Sequence, residues 1–542
     1  MMPDNPRVTE GAGKPRADVL IERGQRLSES MIWPLQRAFY EREGLLAWKP
    51  KAVPFYITSN AFTARAYART VAGFLRDLAA AGPGLFDPAA PVYIVELAAG
   101  SGQFACLFLR RLLELRDAIP ALRGIDLRYV MTDFAPSSVD AWPAHERLAP
   151  FFDRGLLDCA PFDLESDREL RLRSGAVLRP GALRNPLIAI ANYTFDSTAQ
   201  DAFQVEAGTL HERLAAVYST QEEPDRGDPA MLARIGLRWQ SSPIAGRRFD
   251  DPLAERVLLR RRREMPVASF LMPTGAFRCV RNLWDLTGGR LVLLCGDKAV
   301  SRADELAEAG APRFYVHGGG CFSFQLDLHA LAQYFEEGGG RALVGASRDK
   351  RFKVGAYLGP LPGLSPDETR LAFAEQQESF SPADYYALVY GLRSTTADAP
   401  LEVLLSQIRL GSHDYELVFS WRETLAKRAP DAPPWLQAEL ADALDRVWDE
   451  YFPMQRDLAI EIARILLAMK RPEPALFYCR ESLRLAGPQA LTFLSAGYAC
   501  VLLGREREAL AYVEQCLAQD GENAAGRSLR EQLERRLGVT RG

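Results

Sequence analysis

A glycine-containing turn follows a short apolar run in the segment VYIVELAAGSGQF, residues 92–104. Glu96 lies near the end of the run, and Gly100 and Gly102 lie in the turn before a helical pattern. Glycines let the backbone approach a ligand without a Cβ clash, and a helix N-terminus offers free N–H groups. The segment therefore predicts a loop that binds a small polar ligand with an adenosine moiety.

Polar residues also follow three later apolar runs. Asp133 ends LRYVMTD, Asp163 lies in CAPFDLE, and Asn192, Tyr193 and Asp196 follow LIAIA. Ligands of doubly wound sheets bind where the parallel strands end. Asn192 offers a carbonyl acceptor and Asp196 a carboxylate, which could orient a substrate nitrogen or oxygen, with proximity supplying most of the catalysis. The alternative is that these residues only cap strand ends.

Six short apolar runs, separated by helical or loop material, predict an α/β fold with a buried and mostly parallel sheet. The runs are 92–97, 127–133, 187–192, 213–219, 290–297 and 341–347. Amphipathic helices are expected before the first strand, and the stretch at about 221–275 is predicted to be a helical insertion. Its four consecutive arginines, 260–263, are typical of a solvated helix face, although they could also hold an acidic partner.

The C-terminal part contains a 34-residue internal offset that predicts paired helices. It aligns Ala475 with Ala509 and Ala463 with Gly497. A helix-turn-helix period of 34 with small residues in each helix resembles the tetratricopeptide repeat. The predicted organisation is a disordered lead-in (1–27), a sheet domain (28–375) with a helical N-terminal part (28–90), a helical connector (376–445) and all-α repeats (446–542). These repeats either recruit a partner or only cap the sheet domain.

The composition excludes several classes of protein. A net charge of -4 over 542 residues argues against a nucleic-acid partner bound by bulk electrostatics. The eight cysteines are scattered without a CxxC pair, so neither a zinc site nor a disulfide framework is predicted, and a cytoplasmic location is expected. The first 30 residues lack the apolar stretch of a signal peptide or membrane anchor.

Two cofactors compete for the glycine turn. GSGQFA, 100–105, satisfies the dinucleotide fingerprint, but that fingerprint expects an acid about 20 residues further on, where Pro120 stands. Glu96, two residues before the small-residue turn, instead gives the pattern E-x-[G/A]-x-G-x-G, which resembles motif I of class I S-adenosylmethionine (SAM)-dependent methyltransferases, with Ala98 at its usual first glycine. This resemblance implies a Rossmann-like sheet and a set of SAM-binding residues. They are Glu96, Ala98, Gly100, Gly102, Asp133, Asp163 and Asn192.

Further segments, in order from about residue 31 to 343, resemble the MidA-like family, whose eukaryotic members are protein arginine methyltransferases of respiratory complex I assembly. These segments are MIWPLQRAFYEREGLLAW, VPFYITSNAFTARAYARTVAGFL, ANYTFDSTAQDAFQV and CFSFQLDLHALAQYFEEGGGRAL. The resemblance implies an extended Thr58-Ser59 segment and places Asp327 and His329 near the site, where His329 could act as a general base or merely pack. Tyr193 and Ala199 replace a glutamate and a proline of the family pattern.

Three functions are compatible with these patterns. The first is methyl transfer from SAM to a protein or peptide side chain, with Asn192, Tyr193, Asp196 and His329 as catalytic candidates. Arginine is one possible acceptor, although its usual acidic partner is Tyr193 here, so Asp196 could substitute or the acceptor could be another nucleophile. The second is a methyltransferase-fold scaffold without turnover, and the third is a nucleotide-linked oxidoreductase.

Overall fold

The computed structural model describes residues 7–8, 19–44, 56–244, 246–265, 267–310, 312–317, 320–345, 347, 349, 351–392, 398–454 and 456–538. The chain divides into two compact units, Met1–Ala383 and Asp384–Gly542.

Nineteen strands are described, all in the first unit. In chain order they are β1 (Arg7–Val8), β2 (Val19–Gln25), β3 (Val92–Leu97), β4 (Leu127–Asp133), β5 (Leu157–Pro161), β6 (Leu170–Arg171), β7 (Val177–Leu178), β8 (Leu187–Asn192), β9 (Asp201–Glu206), β10 (Thr209–Ser219), β11 (Ile235–Pro243), β12 (Val267–Met272), β13 (Leu291–Asp297), β14 (Ala299–Val300), β15 (Phe314–Val316), β16 (Phe322–Phe324), β17 (Leu326–Asp327), β18 (Arg341–Val344) and β19 (Lys353–Leu358).

The α-helices are likewise numbered in chain order. They are α1 (Ile32–Glu43), α2 (Ala61–Ala81), α3 (Gln103–Ala118), α4 (Pro136–Ala141), α5 (Ala149–Asp153), α6 (Pro252–Glu264), α7 (Thr274–Thr287), α8 (Ala303–Ala309), α9 (Leu328–Glu337), α10 (Asp367–Ala374), α11 (Pro382–Leu392), α12 (Leu401–Leu410), α13 (Tyr415–Arg428), α14 (Pro434–Glu450), α15 (Leu458–Ala468), α16 (Pro472–Ala486), α17 (Ala490–Leu502), α18 (Glu506–Gln519) and α19 (Ala524–Leu537).

A seven-stranded sheet forms the centre of the first unit, with strand order β18-β19-β13-β8-β3-β4-β5. The five strands from β13 to β5 are parallel, and β19 is antiparallel to both of its neighbours. Val130, Val95, Ala189 and Leu293 lie side by side across the sheet and are fully buried. Such apolar strands need helices on both faces. The predicted α/β class with a parallel-rich sheet is therefore confirmed.

Helices cover both faces of this sheet. On one face, Phe108 of α3 contacts Tyr129 of β4, with ring centroids 5.6 Å apart. On the other face, residues of α7 and α9 join Val95 and Leu293 in one apolar cluster. The order of the strands reverses between β3 and β8, and at such a switch point the loops diverge and leave a crevice.

The predicted helical insertion does contain a helix, α6, but its strands β11 and β12 belong to an antiparallel sheet with order β11-β10-β9-β12, in which β2 pairs with β10. The predicted strand 213–219 lies in β10 of this sheet and not in the parallel sheet. Its hairpin with β9 turns at Ala207 and Gly208, which both have positive φ, 47° and 78°. Two residues with positive φ are the signature of a tight hairpin turn. The prediction of disorder up to residue 27 is wrong for 19–25, because β2 supplies backbone hydrogen bonds to β10.

The second unit is all-helical in its described residues, which confirms the helical C-terminal region. α15 packs against α16 and α17 against α18, and α13 packs against α15. Gly497 of α17 lies so close to α18 that an added Cβ would come within 3.0 Å of Val513 Cγ2. The 34-residue offset therefore corresponds to successive helical hairpins in which small residues permit close packing. No described helix has both the length and the apolar character needed to cross a membrane.

Candidate functional site

The glycine loop between β3 and α3 is held in a left-handed conformation. Ala98, Gly100 and Gly102 have φ of 52°, 56° and 83°. The carbonyl of Gly100 accepts a hydrogen bond from Trp142 Nε1 (2.9 Å), and the Ala99 N–H donates to the carbonyl of Thr132 (2.8 Å). These bonds tie the loop to the end of β4. The backbone of the loop is thereby preorganised beside the crevice.

Asp133 lies at the end of β4 and connects this loop to the crevice. Its carboxylate accepts hydrogen bonds from the N–H of Ala135 (2.9 Å) and from the N–H of Gly100. Burial raises the pKa of Asp133 to about 6, although these backbone donors favour the charged form. Asp133 is thus a fixed hydrogen-bond acceptor at the carboxyl edge of the sheet.

A cavity of about 560 Å³ opens at this edge. It is lined by the ends of β3, β4 and β8, by the segment after β5, and by α1 and α7. Four of the residues predicted for the site line it together, namely Ala98, Asp133, Asp163 and Tyr193. Its other lining residues include Trp33, Arg37, Tyr40, Phe134, Glu165, Thr194, Ser197, Thr198 and Arg278.

Helix α1 forms a wall of the cavity that the sequence patterns did not reveal. The Arg37 guanidinium pairs with the carboxylate of Asp163 and lies 4.8 Å from the centroid of the Phe134 ring. Burial raises the pKa of Asp163, but the hydrogen bond and charge of Arg37, together with the N–H groups of Glu165 and Ser166, outweigh it, so the pKa is lowered. On its other side α1 is fixed by Gln36, which exchanges two 2.8 Å hydrogen bonds with the backbone of Phe322. The amphipathic pattern indicated only that this helix has a buried face.

A second ion pair borders the cavity opposite α1. The carboxylate of Glu165 pairs with Arg278 of α7 and accepts a 3.0 Å hydrogen bond from the N–H of Ala199. Ala199 replaces a proline of the family pattern, and it uses here the N–H that proline lacks. The pair joins the segment after β5 to the loop after β8.

The two residues at the end of β8 differ in their surroundings. Tyr193 has φ of 47°, lines the cavity, and donates its hydroxyl to the carbonyl of Arg351 (3.0 Å). The Asn192 carboxamide does not line the cavity, and its nitrogen and oxygen are buried without a hydrogen-bond partner. A buried polar group without a partner costs about 1–3 kcal/mol, which makes the Asn192 carboxamide a candidate to bind a ligand group.

Asp196 lies behind the cavity wall and is 6% exposed. Its carboxylate accepts a 2.9 Å hydrogen bond from Ser197 Oγ, and its N–H donates to Asp297 Oδ2 (3.2 Å). Burial raises the pKa of Asp196 to about 6, and burial followed by the charge of Asp196 raises the pKa of Asp297 well above its usual range. Burial also lowers the pKa of Lys298 to about 8. Asp297, which the sequence patterns did not single out, thus holds the loop that carries Asp196.

His329 and Glu96 lie outside the cavity lining. His329 is the second residue of α9, and burial and the charge of Arg261 lower its pKa. Arg261, within the arginine run, forms a fully buried ion pair with Asp327 (3.0 Å). Glu96 is buried beneath the glycine loop and accepts a 2.9 Å hydrogen bond from Tyr129 Oη. The structure therefore brings neither residue into contact with the crevice.

The raised pKa of the buried Glu96 carboxyl predicts that the stability of the fold depends on pH. Burial raises its pKa from 4.5 to about 8, so between these values the folded state binds a proton that the unfolded state has lost. Stability therefore falls as pH rises from about 4.5 to about 8. Glu96→Gln keeps the acceptor for Tyr129 and removes the titration. Because local relaxation and water penetration weaken the full penalty of burying the charge, we expect the variant to gain about 2 kcal/mol over wild type at pH 9.

Thermal unfolding of both proteins from pH 4 to pH 9 measures this difference. Glu223→Gln is a matched control, because the pKa of Glu223 is lowered, first by its hydrogen bond to Arg234. That variant should lose stability relative to wild type at high pH. Parallel curves for Glu96→Gln and wild type would contradict the prediction.

The positive φ of Ala98 predicts that its substitution by glycine stabilises the fold. At φ of 52° an alanine is strained by roughly 1–2 kcal/mol, of which the greater freedom of unfolded glycine cancels a part. We expect Ala98→Gly to stabilise the first unit by about 1 kcal/mol in urea unfolding. Ala207→Gly, at φ of 47° in the β9–β10 turn, should gain a similar amount and serves as control. A loss of stability confined to Ala98→Gly would show that the methyl group packs favourably.

The predicted Thr58-Ser59 segment is a turn and not extended, because Asn60 caps α2 there by accepting the N–H of Thr63 (2.8 Å). The carbonyl of Ser59 accepts a 2.5 Å hydrogen bond from Gln103 Nε2 at the start of α3. Residues 45–48 and 53–55, which belong to the segments resembling the MidA-like family, lie outside the described residues. Within the described ranges no group of His, Cys, Asp and Glu side chains could hold a metal ion.

Comparison with known proteins finds solved structures that have a limited similarity to this chain. No protein-family profile and no curated protein match the sequence. The chain is similar to the native crystal structure of an uncharacterised COG1565 superfamily protein from Burkholderia thailandensis, with a TM-score of 0.35 and 14% identity over 62% of this chain and 93% of that one. A crystal structure of a COG1565 superfamily member from the same organism, a presumed methyl transferase bound to S-adenosyl-homocysteine, has the same TM-score of 0.35, 14% identity and coverage of 62% and 93%.

Proposed function

We propose that the chain is a class I SAM-dependent methyltransferase with a Rossmann-like sheet, acting on a protein or peptide side chain. The observation that carries the proposal is the convergence of the glycine loop and the Asp133 carboxylate on one cavity at the switch point of the sheet. Its volume of about 560 Å³ falls within the range of small-molecule and cofactor sites. Pro120, by contrast, begins a turn after α3 and ends no strand, which disfavours the dinucleotide alternative.

The residues around the cavity fit SAM in chemistry. Asp133 would accept hydrogen bonds from the ribose hydroxyls, and the rings of Phe134 and Tyr40 offer faces for adenine. Asp163 lies on the side where adenine would end. Ala98 lines the cavity and has only a short side chain, so the methionine part of SAM can approach the loop there. Gly100 and Gly102 shape this loop, and Glu96 supports it from below.

Bound SAM supplies an electrophilic methyl group on a sulfonium sulfur. The part of the protein is to orient the acceptor and to exclude water. Asn192 and Tyr193, at the end of β8, are the nearest candidates to contact an acceptor. Asp196 could pair with an arginine acceptor only if its buried carboxylate became accessible. His329 would act, if at all, through the packing of α9.

Calorimetric titration with SAM tests the proposal. We expect the wild-type chain to bind and Gly100→Asp to lose binding, since the new carboxylate would crowd and repel Asp133. Gly208→Asp is the matched control, because Gly208 also has positive φ, at 78°, but lies in an open hairpin turn. Absence of SAM binding by the wild type, or undiminished binding by Gly100→Asp, would refute the proposal.

A scaffold without turnover is the second candidate, and the pairing of Arg37 with Asp163 favours it. This ion pair engages a carboxylate that the cofactor would otherwise meet. Incubation of the full chain with labelled SAM and a cell lysate separates the two functions. A labelled protein band that disappears in Gly100→Asp would exclude the scaffold, whereas SAM binding without any labelled band would favour it.

We further propose that the tetratricopeptide-like hairpins of the second unit recruit the substrate or a partner protein in the cytoplasm. Exposed apolar side chains on α16 and α17 support this role, namely Phe477, Leu491, Tyr498 and Leu502. Cross-linking and mass spectrometry of the full chain would test it. Replacing Leu491 and Leu502 by serine should abolish the cross-links to partners, while Leu410→Ser, at an exposed leucine on α12, should not.

A further inference from the structure

Two polar side chains without partners lie together at the carboxyl edge of the sheet. The Asn192 carboxamide is one, and the Tyr67 hydroxyl on α2 is the other, in a residue that is 1% exposed. Native proteins seldom leave such groups unsatisfied, because each costs free energy. Neither side chain lines the cavity assigned to the cofactor. Both groups are thus placed for a ligand other than the adenosine part.

Gly296 brings the two groups onto one face of the sheet. It is the register partner of Asn192 in the parallel pair β8 and β13. A Cβ on Gly296 would lie 2.3 Å from Tyr67 Oη and 2.8 Å from Phe352 Cζ, so only glycine admits the hydroxyl there. Tyr193 contacts Phe352 edge to face at 5.9 Å and also lines the cavity. Tyr193 therefore links the cavity lining to Phe352 beside Gly296.

The chemistry of these groups restricts what can bind. The Asn192 carboxamide has an oxygen that accepts hydrogen bonds and a nitrogen that donates them, and the Tyr67 hydroxyl can donate or accept a hydrogen bond. Burial, followed by the neighbouring Cys295 and Asp297, raises the pKa of Tyr67 well above its usual range, so the phenol stays neutral. Asp297 is already bonded to backbone N–H groups of Asp196 and Lys298. A guanidinium has only hydrogen-bond donors, and among the described residues no free carboxylate is available beside Asn192 and Tyr67 to pair with its positive charge.

We propose that Asn192 and Tyr67 hold an uncharged carboxamide, such as a glutamine or asparagine side chain, as the methyl acceptor, an inference that rests on the proposed function. The acceptor N–H donates to Asn192 Oδ1, and its carbonyl accepts from Asn192 Nδ2 or from the Tyr67 hydroxyl. In the transfer, the acceptor nitrogen forms a bond to the methyl carbon as the carbon–sulfur bond breaks, and it releases one proton to water. The products are an N-methyl carboxamide, S-adenosylhomocysteine and the proton.

Tyr67→Phe tests this assignment through three measurements. Binding of S-adenosylhomocysteine by calorimetry should stay within about twofold of wild type, while labelling of lysate proteins falls at least about tenfold. Mass spectrometry of the wild-type products should find methylated glutamine or asparagine. Without cofactor, the melting temperature should stay equal or rise by about 1–3 °C, since an unsatisfied hydroxyl is removed. Tyr334→Phe is the control, because its hydroxyl donates to Asp251 (2.7 Å) and its loss should lower the melting temperature without changing labelling.

The outcomes separate this inference from the proposed function. Methylarginine or methyllysine as the product would overturn the carboxamide assignment and leave the methyltransferase intact. A parallel loss of S-adenosylhomocysteine binding in Tyr67→Phe would place Tyr67 in the cofactor site and also overturn it. Cofactor binding without any labelled protein would overturn it in favour of the scaffold. Absence of cofactor binding by wild type would refute the proposed function, and this inference with it.

Discussion

Gly102→Ala is expected to destabilise the first unit by about 3 kcal/mol and to weaken SAM binding at least about tenfold. Gly102 has φ of 83°, which costs an alanine roughly 1–2 kcal/mol. The added Cβ would also lie 2.8 Å from Met131 Cε and 2.9 Å from Leu148 Cδ1, and crowding of a packed core costs typically 1–3 kcal/mol. Both atoms are the far ends of flexible side chains, so their movement relieves a part of the clash. The remainder shifts the backbone of the loop beside the cavity, because Gly102 directly precedes α3.

Urea unfolding and calorimetry with SAM measure the two effects. Gly288→Ala isolates the backbone term, because Gly288 is also in the left-handed helical region, with φ of 63° and ψ of 38°, and has nothing within 4 Å of an added Cβ. That control should lose only about 1 kcal/mol and should bind SAM like wild type. If both alanine variants were equally stable, the packing around Gly102 would be more adaptable than the structure indicates.

Asp133→Asn is expected to weaken SAM binding about 100-fold, which corresponds to about 2.7 kcal/mol. A carboxylate that accepts from two hydroxyls makes charge-assisted hydrogen bonds, each worth about 1.5–3 kcal/mol. Asparagine offers a single oxygen, which the backbone N–H of Ala135 already occupies at 2.9 Å. The substitution therefore keeps the turn after β4, but it removes the carboxylate oxygen offered to the cavity and weakens acceptance of the Gly100 N–H, which also loosens the glycine loop.

Asp87→Asn is the matched control for this prediction. Asp87 forms the same kind of turn, in which Oδ1 accepts the N–H of Ala89 at 2.9 Å, and it does not line the cavity. Calorimetry should find its SAM affinity unchanged. An affinity of Asp133→Asn within about threefold of wild type would mean that the ribose is held elsewhere.

The strands next to the glycine loop were predictable from the sequence. Predicted runs 92–97, 127–133 and 187–192 coincide with β3, β4 and β8. The 34-residue offset likewise matches the starts of α16 and α18, at Pro472 and Glu506. Each of these features is a local pattern, since fully buried strands are apolar throughout and helix pairs repeat their small contact residues.

The antiparallel sheet could not be predicted in the same way. VLIERGQ, at β2, is too polar for a buried strand, and it becomes ordered only through pairing with β10, nearly 200 residues later in the chain. The turn at Ala207 and Gly208 was a weak local signal that an antiparallel hairpin lay between the parallel strands. The wall that α1 forms with Arg37 over Asp163 depends in the same way on residues far apart in sequence.

The strand, turn and helix around the glycine loop were therefore determined by the sequence alone, because the apolar run, Glu96 and the glycines act over a few residues. The tertiary structure decided which other groups meet this loop. It placed Asp133, Asp163 and Tyr193 on the cavity, left Asp196 and His329 outside it, and set Tyr67 beside Asn192 across Gly296. Such contacts depend on the order of strands in the sheet and on the helices packed across it, and these are long-range choices that no local pattern of residues encodes.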